Sequence, residues 1–193
     1  MTATAGGRAV ATSMGFTPLE GLVMGTRSGD VDPGAILYVM ERSGMSAAEV
    51  RRELNEKSGL LGLSGKSADM RDLVDMEQRG DREAALAVEI FCRRARHYVA
   101  AYIAELGGVD AIAFGGGIGE NSPEIRRRIA GGFQWAGIEL DLDANQAGVG
   151  LESNIASPQS RSAILAVPVD EASVIAGEAA TLLLSPGDRR PEG

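Results

Sequence analysis

The strongest pattern of apolar and polar residues lies between residues 82 and 106. Apolar side chains recur there at steps of three and four residues, which predicts a long amphipathic helix with one buried stripe. Gly107 and Gly108 follow directly and are typical of a helix end, so the helix is expected to stop there. The apolar stripe comprises Leu86, Ile90, Phe91, Tyr98, Tyr102 and Leu106.

The chain upstream predicts two shorter helices and two loops. Residues 35–44 (AILYVMERSG) form an apolar run that predicts a short helix closed by Gly44. Ser46 and Glu49 have the spacing of a capping box, in which each side chain binds the other's amide, and a helix is expected from there to Gly59. The glycine-rich residues 13–34 predict a structured loop, and residues 60–74 predict a loop that enters a short helix.

Strands alternate with helices in the second half of the chain. Residues 110–114 (DAIAF) predict a buried strand, followed by a glycine-rich turn at 114–124 (FGGGIGENSPE) and a helix capped by Ser122. Further strands are expected at 137–143 and 162–169, with a last helix at 170–184 capped by Asp170. This alternation predicts an α/β fold with a partly parallel sheet. Because the first helices precede any strand on which they could pack, the fold is expected to be incomplete at its N-terminal side.

Composition narrows the class of protein. The 193 residues are 44% hydrophobic and 24% charged, and no apolar run approaches the roughly 20 residues that span a bilayer, so no membrane contact is expected. A net charge of −8 disfavours nucleic acid as a partner. The single cysteine, Cys92, excludes an internal disulfide, and without a secretory signal this indicates a cytoplasmic protein.

The glycine-rich turn at 114–124 has two interpretations. A strand, a glycine turn and a helix start present free backbone amides, an arrangement that suits a phosphate or a nucleoside. The turn matches neither the P-loop, which needs a lysine, nor the dinucleotide fingerprint, whose last glycine falls on Glu120 or Ser122. The alternative is a tight connection with no ligand. Glu120 and Asn121 favour a binding turn, because packing alone does not call for polar groups there.

Four further residues are candidates for binding or catalysis, each with a plain structural alternative. Arg27 on its glycine loop can offer a fork of donors to a phosphoryl group, or form an ordinary ion pair with a nearby aspartate. The same two interpretations apply to Asp69 and Arg71. Glu171, after a predicted strand, can help hold magnesium or serve as a first-turn helix acid.

Two residues with reactive side chains are interpreted as structural. His97 lies within the long helix beside its apolar stripe, with no serine or cysteine partner for catalysis. Cys92 adjoins Phe91 on the same helix and is expected to be a packed thiol.

Four segments together resemble the acetate kinase family in their order and spacing. They are TSMGFTPLEGLVMGTRSGDVDP at 12–33, GLSGKSADMRDL at 62–73, FGGGIGENSPEIR at 114–126 and VPVDEASVIA at 167–176. The resemblance covers nearly all of residues 10–184 and corresponds to the later half of a family member. It implies an actin- and sugar-kinase-like, ribonuclease H-like ATPase domain that transfers a phosphoryl group between ATP and acetate, with magnesium, giving ADP and acetyl phosphate.

The resemblance assigns roles residue by residue. Arg27 matches the arginine that stabilises the transferred phosphoryl group, and Glu171 matches the carboxylate associated with Mg²⁺. The nucleotide-contacting positions are Asp69, Met70, Arg71, Gly117, Ile118, Gly119, Glu120 and Asn121. Family members pair through this domain, so a homodimer is implied.

The chain also departs from the family pattern. The His-Leu-Gly-Asn-Gly loop that holds the phosphates, and the half of the family that contacts acetate, have no counterpart here. Smaller departures are Ala11 where aspartate is usual, Gly115 where threonine is common, and Val169-Asp170 where Thr-Asn precedes the glutamate. Because phosphoryl transfer depends on positioned charge, the chain alone is expected to be nearly inactive.

The sequence therefore leaves two functions open. One is a partial acetate kinase, and the other is a non-catalytic module that binds an adenine nucleotide or forms a dimer. A nicotinamide oxidoreductase is disfavoured by the broken fingerprint. The expected organisation is a flexible start at 1–11, the partial domain at 12–184 and a disordered tail at 185–193.

Overall fold

The computed structural model describes residues 1–170 and, beyond them, 173, 176, 177, 179 and 180. The chain begins with an antiparallel hairpin of β1 (Thr2–Ala5) and β2 (Arg8–Thr12). The sequence alone predicts a flexible start at 1–11, whereas these residues form the hairpin. The two ends of the hairpin opposite its turn are joined by a hydrogen bond, which the amino group of Met1 donates to the hydroxyl of Ser13 over 2.8 Å.

Five helices follow the loop at 13–32. They are α1 (Pro33–Ser43), α2 (Ala47–Glu56), α3 (Gly59–Ser64), α4 (Met70–Gln78) and α5 (Arg82–Leu106). The capping box of Ser46 and Glu49 is present, and α5 has the predicted bounds with Gly107 as its left-handed cap. The expectation that Gly59 ends the second helix was wrong, because that helix stops at Glu56 and Gly59 begins α3.

The second half places a small sheet among short helices. Its elements are β3 (Ala111–Phe114), α6 (Gly116–Asn121), α7 (Pro123–Ala130), a 3-10 turn at Gln134–Ala136, α8 (Leu142–Ala147), β4 (Ser153–Asn154) and β5 (Ala163–Ala166). The strand order is β3-β5-β4, with β3 and β5 parallel and β4 antiparallel to β5. The predicted α/β class with a partly parallel sheet is confirmed.

One predicted strand is absent and one element falls outside the described residues. Residues 137–143 contribute a single bridge, between Leu140 and Ala156, and then enter α8, whose start is capped by Asp141. Alternating residues in this stretch pointed to a strand, but the capping aspartate begins a helix within it. The expected helix at 170–184 and tail at 185–193 lie mostly or wholly outside the described residues.

The core forms where α5 packs against α3, α4 and α7, and the start of α4 lies beside the turn after β3. One face of α5 is fully buried, including Ala84, Val88 and Cys92, and it packs against Leu73 of α4 and Ile125 of α7. The stripe predicted from the sequence is not this face, because its members are at most partly buried and Leu86 is 54% exposed. Burial raises the pKa of Cys92 to about 12, so it is the packed thiol expected from the sequence. No helix in the described part of the chain is long and apolar enough to cross a membrane.

The loop that carries Arg27 rests directly on Gly59. The amide of Leu60 donates to the carbonyl of Met24 over 2.8 Å, and the amide of Leu61 to that of Gly25 over 2.9 Å. Gly59 has φ +62°, and a side chain there would overlap the Met24 carbonyl and lie 2.7 Å from that of Arg27. A glycine is therefore required both for its conformation and for the close approach of the loop.

Replacing Gly59 with alanine is expected to destabilise the chain by about 2 kcal/mol or more, because the new methyl group combines a strained φ with a backbone clash. Gly65→Ala is the matched control, since Gly65 has φ +65° but nothing within 4 Å. The control is expected to cost about 1 kcal/mol. Urea denaturation measures both, and equal losses for the two variants would contradict the close packing of the loop on Gly59.

Candidate functional site

A cleft of about 1120 Å³ brings the two segments expected to contact the nucleotide together. One wall is the start of α4 and the other is α6 with the start of α7. Of the eight candidate contacts, the cleft is lined by Asp69, Met70, Arg71, Gly117, Ile118 and Asn121. These residues are about 50 positions apart in the chain, and their meeting was not available from sequence spacing.

Gly119 and Glu120 do not line the cleft and instead fix the turn. A side chain on Gly119 would lie 3.0 Å from the carbonyl carbon of Phe114, so this glycine allows close packing on β3. The Glu120 carboxylate accepts a hydrogen bond from the amide of Val169 over 3.0 Å. Glu120 thereby ties the turn to the chain that follows β5.

The consecutive glycines of the turn have different reasons to be glycine. Gly116 has φ +70°, and a side chain on Gly115 would lie 2.7 Å from the Cγ2 atom of Val169. Gly117 has neither a left-handed φ nor any atom within 4 Å of where a side chain would stand. Because the protein itself makes no demand for glycine at 117, the open space beside it in the cleft is available to a ligand.

A buried arginine holds this turn from behind. The side chain of Arg126 is 0% exposed and donates to the carbonyls of Gly119 and Glu120 over 2.8 and 2.9 Å. It also donates to the side-chain and main-chain oxygens of Asn145, on α8, over 2.8 and 2.7 Å. Burial lowers the pKa of Arg126, although an arginine guanidinium stays charged in proteins. The sequence alone predicts that Arg126 lies in a helix and does not indicate that it is buried.

Asp69 and Arg71 form the ion pair that was the structural alternative. Asp69 caps α4 by accepting the Arg71 amide over 2.8 Å, and the Arg71 guanidinium binds both of its oxygens, over 3.2 and 2.6 Å. Hydrogen bonds from Arg71 lower the pKa of Asp69 to about 2. The pair lies on the rim of the cleft, and the Arg71 side chain is 84% exposed. It is therefore an ion pair whose outer face stays open to a ligand.

Salt bridges join the two walls of the cleft. Arg128 of α7 binds both oxygens of Glu77 of α4, over 3.0 and 2.9 Å, and also Glu124 over 2.6 Å. Glu124 in turn holds Arg127, which lines the cleft. The arginines at this wall are thus paired with carboxylates, so the cleft has little free positive charge and suits a nucleoside better than a phosphate chain.

Arg27 lies on a loop that adjoins the cleft. A side chain on Gly25 would lie 3.1 Å from the carbonyl of Ala68, which lines the cleft. Within the described residues Arg27 has no carboxylate partner, and its guanidinium contacts only the sulfur of Met24, over 3.9 Å. The ion pair with a nearby aspartate, considered from the sequence, is therefore not formed there.

The aspartates near Arg27 are engaged elsewhere. Asp32 caps α1, and Asp30 accepts hydrogen bonds from the Gly21 amide over 2.7 Å, from Arg94 over 3.0 Å and from the hydroxyl of Tyr98 over 2.8 Å. Burial and the bond to Asp30 raise the pKa of Tyr98 to about 12. Asp30 thus anchors the Arg27 loop to α5.

Two remaining candidates are placed as follows. Glu171 lies outside the described residues, so its link to magnesium stays a prediction. His97 is on α5, as expected, but on its exposed side rather than packed with the apolar stripe. Its side chain is separate from the cleft lining.

Comparison with known structures identifies the class of protein. An acetate kinase from Porphyromonas gingivalis superposes with a TM-score of 0.90 at 42% identity, over 94% of this chain and 46% of that one. A propionate kinase from Francisella tularensis superposes with a TM-score of 0.86 at 41% identity, over 92% and 45% of the two chains. The fold is therefore that of the acetate and propionate kinases.

Sequence comparison gives the family. A model described as the Acetokinase family matches residues 1–177, and the chain belongs to this family. An acetate kinase from Solibacter usitatus is 48% identical over 184 residues, which are 95% of this chain and 44% of the relative. The chain thus spans less than half the length of the relatives that it matches.

Proposed function

We propose that this chain supplies the nucleotide-binding part of an acetate kinase-type phosphotransferase and corresponds to the later half of the longer relatives. The observation that carries the proposal is the cleft between α4 and α6, where six of the eight residues assigned to the nucleotide from sequence meet. The open space at Gly117 supports it, because no packing or backbone demand explains that glycine.

The proposed nucleotide lies with adenosine in the cleft and phosphates toward Arg27. The paired arginines around the cleft leave it nearly neutral in character, which fits a base and ribose. Arg27, uncommitted to a carboxylate within the described residues, is the cation available to the phosphates. A guanidinium offers several donors in one plane and suits phosphoryl oxygens.

The proposed reaction is a direct in-line transfer. A carboxylate oxygen of acetate forms a bond to the γ-phosphorus of ATP while the bond from that phosphorus to the bridging oxygen breaks, and ADP leaves with the electron pair. Arg27 would neutralise charge on the equatorial oxygens during transfer. Magnesium, held in part by Glu171, would neutralise the phosphates when bound. Acetyl phosphate is the other product, and the reverse transfer uses the same groups.

Binding of MgADP tests the nucleotide site directly. Calorimetry is expected to show binding to the wild-type chain and a loss of at least tenfold in affinity for Gly117→Val, because the added side chain occupies the ligand space and its β carbon meets no atom of the described residues within 4 Å. Ala48→Val on the exposed side of α2 is the matched control, since it places the same residue in a helix away from the cleft. A folded wild-type chain that bound no MgADP would refute the proposal, and an unaffected Gly117→Val variant would refute the placement of the ligand.

Catalysis by Arg27 is tested with a coupled acetyl phosphate assay. The chain is expected to be slow by itself, and Arg27→Ala is expected to lower the rate by about 10²-fold or more, because a charge aimed at the transition state is lost. The protein is prepared from a host that lacks its own acetate kinase, and MgADP affinity is measured for both forms. Arg27→Lys is the conservative comparison and is expected to be intermediate. Equal rates for wild type and Arg27→Ala would show that Arg27 does not take part.

A second candidate, a dimerisation module, is favoured by the exposed apolar side chains of α1. This helix buries no residue, and Leu37, Tyr38 and Val39 are 61%, 58% and 46% exposed. Apolar side chains grouped on one exposed helix are typical of a protein interface. We propose that a homodimer of this chain forms through α1.

Sedimentation velocity tests the α1 interface. The wild-type chain is expected to sediment as a dimer, and Leu37→Arg is expected to shift it to monomer by placing a charge in the interface. Leu151→Arg is the matched control, because Leu151 is also 61% exposed but lies outside α1. A monomeric wild-type chain, or dissociation by both variants alike, would rule out this interface.

A further inference from the structure

The buried charge of Arg126 calls for an explanation beyond packing. Position 126 follows Ile125 on the inner side of α7, where an apolar side chain would satisfy the core. Burying a charged group is costly unless its donors are all satisfied, and here the partners in the described chain are neutral oxygens instead of a carboxylate. Because packing alone would favour an apolar side chain at this position, the buried guanidinium is best explained by the oxygens that it holds in place.

Two of the four oxygens that Arg126 binds belong to the end of α6. A helix leaves its last carbonyls without partners, and one of six residues has too few internal bonds to hold its shape alone. In α6 the carbonyls of Gly119 and Glu120 are taken up by Arg126, and that of Gly117 by the side chain of Asn121 over 3.0 Å. The form of α6 therefore depends on groups outside its own backbone ladder.

Asn145 extends the same contact to a third element. Its two oxygens accept from Arg126, its side-chain amide donates to the carbonyl of Pro123 over 2.9 Å, and it lines the cleft. Arg126 itself does not line the cleft. The guanidinium thus joins α6, α7 and α8 from behind, while Gly117, Ile118 and Asn121 face the open side.

We propose that Arg126, supported by Asn145, is a positioning residue that sets α6 in the geometry needed to bind the nucleotide. The inference rests on the proposed nucleotide site and adds the element that shapes it. Arg126 acts through the turn and makes no contact with the ligand. A lysine in its place keeps the charge but cannot reach Gly119, Glu120 and Asn145 together, because it lacks the planar fork of donors.

The test compares the MgADP dissociation constants of wild type and Arg126→Lys under conditions in which both are fully folded. Arg126→Lys is expected to bind about tenfold more weakly, since the carbonyl of Gly119 loses its donor and that of Glu120 keeps only the amide of Gly150, over 3.1 Å. Hydrogen exchange at the amides of Glu120 and Asn121 is expected to accelerate at the same time. A purely structural role would lower the melting temperature and leave the affinity of the folded molecules unchanged.

Arg93→Lys is the matched control, because Arg93 is exposed on α5 and away from the cleft, and it is expected to bind MgADP like the wild type. If Arg126→Lys does not fold, Asn145→Ser removes one acceptor of the guanidinium and is expected to weaken binding about threefold with the same local exchange. Unchanged dissociation constants in the folded variant would overturn this inference alone. A folded wild-type chain without MgADP binding would overturn the proposed function, and this inference with it.

Discussion

The buried positive charge of Arg126 is the constraint on which the second half of the structure depends. Its hydrogen-bond partners are neutral oxygens. Its hydrogen bonds join the end of α6 to Asn145 of α8, and α7 is held in addition by the burial of Ile125 and Ile129. Each bond made to the buried guanidinium offsets the cost of removing it from water, so the surrounding carbonyls have little freedom to move. The turn after β3 is rigid for this reason, although glycines make up much of its sequence.

The same turn shows how a run of glycines can serve several purposes at once. Gly115 and Gly119 allow close packing, Gly116 allows a left-handed backbone, and neither reason applies to Gly117. The opposite wall is held in place by Arg128, which bridges α7 to Glu77 of α4. The cleft thus lies between two walls that hydrogen bonds hold in place, so the protein has less ordering entropy to lose when a ligand binds.

The Arg27 loop is positioned in a different way from the cleft. It lacks regular structure and is held by the bare backbone of Gly59 below it, by hydrogen bonds of Thr26 and Ser28 to the end of α2, and by the carboxylate of Asp30, which reaches α5. Because Asp30 is occupied by Arg94 and Tyr98, Arg27 is left without a competing anion in the described chain. These contacts place Arg27, which has no carboxylate partner among the described residues, next to a nearly neutral cleft. A neutral cleft suits the base and ribose of a nucleotide, and a free guanidinium suits its phosphates.

The sequence by itself determined the elements whose signals are local. The length of α5 followed from apolar periodicity, the start of α2 from its capping box, and the strand, turn and helix around Gly117 from glycine, serine and proline at fixed positions. It failed at residues 137–143 because alternation looked the same as the approach to a capped helix, and at the first hairpin because no periodic pattern marks it. Tertiary structure alone decided that Asp69 and Gly117 share a cleft, that Arg71 is paired with a carboxylate whereas Arg27 has none among the described residues, and that Arg126 is buried. Those facts depend on which distant groups meet in the fold. Hydrogen bonds and burial that join residues tens of positions apart cannot be predicted from the spacing of neighbouring residues.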